Sequence, residues 1–160
     1  MTKTVTAALL ALVLNSWGAV QGTLVDNCAY PRPQAKPLSF GDLQGALLGH
    51  GSRGVLLSND SGNGVCEWIN LAQQLAKHGF AVLIYTYASP YPTDNRAADL
   101  QTALAALRRQ GVHDITLVGA SQGANLSLQA ASKRLPGVTG LVALSPEAHV
   151  LATDGVARAA

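Results

Sequence analysis

Five consecutive residues, Gly119-Ala120-Ser121-Gln122-Gly123, set a serine between two glycines at the spacing G-x-S-x-G. A serine hydroxyl is a weak nucleophile. It needs a base to take its proton and donors to hold the oxyanion it creates. The pentapeptide follows an apolar, β-branched run at 115–118 and opens a helical pattern in which Ala124, Leu128, Ala131 and Leu135 share a face. A sharp bend there puts Ser121 into strained dihedrals, and the flanking glycines let strand and helix approach closely. The helix amino terminus aims free N–H groups at the same space, where the amide of Gln122 can hold a developing oxyanion. The competing reading is a plain strand-to-helix turn.

Whether a base can reach Ser121 depends on the elements that carry the four histidines, His50, His78, His113 and His149. The apolar runs at 55–58, 81–87, 115–118 and 138–144 read as strands. Helical patterns separate them at 66–78, at 96–110 and after the serine turn. Near-continuous apolar strands joined by helices predict an α/β fold, a mostly parallel sheet covered on both faces. The segment "LSFGDLQGALLG" adds an amino-terminal hairpin around Gly41-Asp42. In such sheets ligands gather beyond the carboxyl ends of the strands, here the loops starting at Asn59, Ala88, Gly119 and Ser145. His50, His78 and His113 precede strands and are expected at the opposite edge. Only His149, in "LSPEAHV", follows a strand's carboxyl end, with Glu147 two residues before it. Both read first as exposed loop residues after Pro146.

In this order (hairpin, strand, helix, strand, helix, strand, G-x-S-x-G turn, helix, strand) residues 38–150 resemble the α/β-hydrolase family, in the manner of its small bacterial serine esterases. The stretch "GVLLSNDSGNGVCEWINLAQQLAKHGFAVLIYTY" is similar to the family's third-to-fourth strand segment. The resemblance implies a second oxyanion donor from the loop after the strand at 55–58. Where the family has a His-Gly pair, this chain has Asn59-Asp60, so the donor would be the N–H of Asp60 or Ser61, with the Asp60 carboxylate turned away. Asn59 reads equally as a turn residue. The resemblance also makes Glu147 a candidate acid and leaves His149 as a candidate base in an unorthodox place. The family's later strands and histidine loop have no counterpart before Ala160, and Asp154 is at most a remnant of them. A nucleophile without its usual general base, in an incomplete fold, is therefore expected. An open edge on the last strand would then favour association.

Bulk properties narrow the field. The chain has 160 residues, 48% hydrophobic and 12% charged, with net charge +2. Its densest basic spot is only Arg108-Arg109, so nucleic acid is not an expected partner. No G-x-G-x-x-G or P-loop follows a strand, which argues against a nucleotide binder, and no cofactor is expected. Residues 1–22 read as a signal peptide, with one early lysine, the apolar run "VTAALLALVL" and small residues at Ser16 and Gly18. A buried amino-terminal helix is the alternative. The run is short for a membrane span. Residues 23–37 read as a Pro-rich linker and 38–160 as a partial α/β-hydrolase domain. Export to the periplasm or beyond would allow one bridge between Cys28 and Cys66, or two unrelated thiols; two cysteines alone make no metal site. A retained leader would mean a cytoplasmic protein.

Two functions stay open. One is a serine hydrolase acting on carboxylic esters or related small acyl compounds through Ser121, impaired by its missing loops. The other is a non-catalytic relative that binds a small ligand or a partner in the same crevice. Neither the acyl group nor the oligomeric state is legible; Tyr91 in "ASPYPTDN" is equally a pocket wall or a surface turn.

Overall fold

The structure, a computed structural model, describes residues 34–61, 65–88 and 96–146. The leader at 1–22, Cys28, Tyr91, Glu147, His149 and Asp154 lie outside the described residues. Six strands form one sheet in the order β1-β2-β4-β3-β5-β6: β1 Ala35–Phe40, β2 Leu43–Leu48, β3 Arg53–Ser58, β4 Ala81–Tyr85, β5 Asp114–Ala120 and β6 Val138–Leu144. The hairpin β1–β2 and its junction with β4 are antiparallel, and β4, β3, β5 and β6 run parallel. The hairpin turn is Gly41-Asp42, with φ +65 at Gly41. A positive φ at the first of two loop residues is what a type II′ turn requires and what glycine adopts without strain.

Side chains alternate faces along each strand, and the core divides accordingly. Leu56, Leu83, Tyr85, Ile115 and Leu117 pack on one face beneath Leu100, Leu104 and Leu107 of α2 (Arg96–Arg109) and Ala130 of α3 (Gln122–Ser132). Val55, Leu57, Val82, Ile84 and Val118 point the other way, toward Trp68, Ile69 and Ala72 around the start of α1 (Ile69–Lys77). Each fully buried aliphatic side chain contributes about 1.5–3 kcal/mol. That is why strands buried on both faces read as unbroken apolar runs.

Several boundaries differ from the sequence reading; β3 begins two residues early, at Arg53, and β5 runs from Asp114 to Ala120. β1 begins at Ala35, inside the expected linker, and contains Pro37. A proline is tolerated because β1 is the outer strand, where a missing N–H breaks no central ladder. A 3-10 turn, Val65–Trp68, opens the expected helix at 66–78 before α1 begins. β4 stops at Tyr85, two residues short of the expected end, so Tyr87 lies beyond the ladder. The end of α1 fits expectation: Gly79, at φ +82, donates to Ala76 O at 3.1 Å while Phe80 donates to Leu75 O at 3.2 Å. That pair of bonds is a Schellman motif, which needs a left-handed residue next to the cap.

Candidate active site

β5 hands the chain to α3 through Ser121, which has φ 51 and ψ −113 and is exposed. This is a conformation that residues with a Cβ rarely adopt, and it persists only where the surroundings enforce it. Two close approaches enforce it here. A Cβ on Gly119 would lie 2.1 Å from the carbonyl oxygen of Gly123, and a Cβ on Gly123 would lie 2.2 Å from the carbonyl oxygen of Ser58. The first contact presses strand against helix, and the second presses the helix against the end of β3. The Ser121 N–H is held by Leu144 O at 2.9 Å, and its own carbonyl accepts from Asn125 N–H at 3.1 Å. The backbone is thus pinned from β6 and from within α3. As the first three residues of α3, Gln122, Gly123 and Ala124 have N–H groups with no acceptor inside the helix.

The end of β3 lies beside this bend, since Ser58 pairs with Gly119. Asn59 follows at 1% exposure; its Nδ2 donates to Tyr85 O at 2.7 Å, and its carbonyl accepts from Tyr87 OH at 2.8 Å. The Asn59 side chain therefore fastens β3 to β4, while its backbone carbonyl lies close to the start of α3, 2.5 Å from where a Cβ on Gly123 would stand. Ser58 Oγ and Tyr85 OH are 3.0 Å apart, and the rings of Tyr85 and Tyr87 meet edge to face with centroids 5.5 Å apart. Burial raises both phenol pKa values, Tyr85 well above its usual value. At Tyr87 the Arg96 charge opposes the rise without cancelling it.

Arg96 opens α2 at 1% exposure. Its guanidinium sits 4.3 Å over the Tyr87 ring and donates through Nη1 to Gln122 Oε1. Asp99, one turn on, accepts from Ala88 N–H at 3.0 Å. Nothing in the sequence marks Tyr87 or Arg96. The first reads as a strand residue and the second as the polar start of a helix, and they reach the bend only through the fold.

Ser121, Gln122, Gly119, Gly123, Asn59 and Asp60 thus share one corner at the carboxyl edge of the sheet. His50, His78 and His113 are exposed and lie just before β3, β4 and β5, at the other edge. Cys66 is disulfide-bonded. Among the described residues no three His, Cys, Asp or Glu side chains gather to hold a metal ion, and no helix is long and apolar enough to cross a membrane.

Residues 48–159 match the family described as alpha/beta hydrolase fold. No curated protein matches the sequence. Among solved structures the chain is similar to an esterase of Pyrococcus furiosus, at 19% identity and TM-score 0.60 over 76% of this chain and 55% of that one. A hydrolase of Pseudomonas aeruginosa is similar at 22% identity and TM-score 0.58, over 73% and 48%. A thermostable carboxyl esterase of Bacillus coagulans is similar at 13% identity and TM-score 0.56, over 68% and 42%. At these identities the likeness is one of fold. The chain spans about half the length of the first structures it matches.

Proposed function

Because the chain belongs to the α/β-hydrolase fold family, we propose that it is a serine hydrolase acting on carboxylic esters or related small acyl compounds through Ser121. One observation carries the reading: the backbone of an exposed serine is held at φ 51 between two glycines, neither of which has room for a Cβ. In the reaction Ser121 Oγ attacks the acyl carbonyl and forms the Oγ–C bond while its proton passes to a base. The N–H groups of Gln122 and of the loop at Asp60 hold the oxyanion. Collapse of the tetrahedral intermediate breaks the bond to the leaving alcohol, which takes up the proton. Of the four histidines, His149 is the candidate base by topology, with Glu147 as its acid.

Labelling with an organophosphonate tests the proposal. A single adduct on Ser121 is expected, absent from Ser121→Ala. No adduct, under conditions that label a serine esterase in parallel, overturns it. A second reading, a non-catalytic protein binding a small ligand in the same corner, is favoured by the three described histidines all lying at the far edge. A folded protein with no adduct on Ser121 and no turnover of any ester would select it.

We also propose export, in keeping with the leader at 1–22 and the bonded state of Cys66. Recovery of the protein from the cytoplasm with its leader intact and Cys66 reduced would contradict that.

A further inference from the structure

We infer that Tyr87 is a positioning residue for the oxyanion donor of the loop after β3, holding the peptide that joins Asn59 to Asp60, while Arg96, stacked on its ring, holds the side chain of Gln122. The inference rests on the reading of Ser121 as nucleophile. In a trans peptide the C=O of one residue and the N–H of the next share a plane and point in opposite directions. A bond fixed on the Asn59 carbonyl therefore also fixes the direction of the Asp60 N–H. Tyr87 OH makes that bond at 2.8 Å, and the ring behind it is 6% exposed. A buried phenol O–H that lost this acceptor would give up a hydrogen bond that water does not replace, so the bond resists breaking. Accepting it also polarises the peptide and makes the Asp60 N–H a better donor.

The residue that carries the other donor is touched by Arg96 through its side chain. A cation at the first position of a helix opposes the helix dipole, and burying it adds a desolvation cost. The position is explained by what Arg96 touches: the Tyr87 ring face at 4.3 Å and Gln122 Oε1. A guanidinium only donates, so the Gln122 amide must turn its oxygen toward Arg96. At 1% exposure Arg96 cannot meet a substrate and acts through Gln122. One buried stack thereby joins the loop after β3 to the first residue of α3, which flank Ser121 on two sides.

The test compares two deletions of a buried phenol oxygen. Tyr87→Phe removes the bond to the Asn59 carbonyl. Tyr85→Phe removes the contact with Ser58 Oγ and the interaction of the two phenol hydroxyls, but leaves the Tyr87 bond to the Asn59 carbonyl in place. Tyr87→Phe is expected to slow organophosphonate labelling of Ser121 on the order of tenfold, less than deletion of a whole oxyanion donor. Tyr85→Phe should stay within about twofold, since it leaves both donors alone. Amide hydrogen exchange at Asp60, read by NMR, should quicken in Tyr87→Phe only. Equal slowing in the two variants, or no change in Tyr87→Phe, overturns the inference. If the unsubstituted protein gives no adduct, the hydrolase reading falls, and exchange at Asp60 still decides the positioning role. If Tyr87→Phe does not fold, the unsubstituted protein decides: a Tyr87 hydroxyl proton protected from exchange is expected, and rapid exchange overturns the assignment.

Discussion

Backbone strain at Ser121 gives a direct measurement at the scale of one residue. Side chains at φ 51 and ψ −113 cost on the order of 1–3 kcal/mol, which glycine avoids at an entropic cost of about 0.5–1 kcal/mol. Ser121→Gly should therefore raise stability by about 1 kcal/mol in urea, while Ser121→Ala, which keeps a Cβ, should not. Equal stabilities would mean that the bend stores no strain. The tyrosine pair yields a second prediction. A phenol is neutral while protonated, and burial lifts both pKa values above that of the unfolded chain. Below pH 10 folded and unfolded states hold the same protons at these groups. Above it the unfolded chain releases them first and stability falls, by up to about 1.4 kcal/mol per pH unit for each tyrosine. Urea midpoints should thus drop steeply between pH 10 and 11. Tyr87→Phe should remove about half of the drop, and an unchanged slope would show that Tyr87 ionises freely in the folded protein.

Among the elements, the strand–bend–helix unit was legible because its signal is local: two glycines at fixed spacing, β-branched residues before them and a helical period after. The hairpin was legible for the same reason, since Gly41-Asp42 names its own turn. The start of β1 was not, because Pro37 reads as a linker residue until its place on the outer strand is known. Nor was the support of the corner. Tyr87 and Asn59 are 28 residues apart and Arg96 and Gln122 are 26 apart, and no periodicity links them. The glycines separate the two kinds of information. Gly123→Ala would drive a Cβ to 2.2 Å from the backbone of β3, which cannot yield as a side chain end would. We expect a loss of roughly 3 kcal/mol, at the upper end for overpacking, together with loss of labelling at Ser121. Gly79→Ala, where nothing lies within 4 Å and only φ +82 matters, should cost about 1 kcal/mol and leave labelling intact. Similar losses at both sites in urea melts would mean that close packing does not hold the bend.

For the molecule as a whole, the cover over the sheet is uneven. α2 and α3 shield one face, while α1 packs on the other against β4 and β2. Val142 and Leu144 of β6 pair with Val118 and Ala120, whose side chains belong to the α1 face, yet they are 44% and 46% exposed. β6 is also the outer strand of the described sheet. Neighbouring aliphatic side chains beside a ladder with no further strand among the described residues favour addition of another strand or face, and proteins commonly blunt such edges with lysine. The chain is therefore expected to associate as its concentration rises. Val142→Lys with Leu144→Lys should suppress this and change folding stability by only about 0.5 kcal/mol in either direction, as for other exposed positions. Sedimentation velocity across a concentration series distinguishes the outcomes. A monomer at every concentration before substitution would show that this face is covered in solution. Association that survives both lysines would move the contact to another surface.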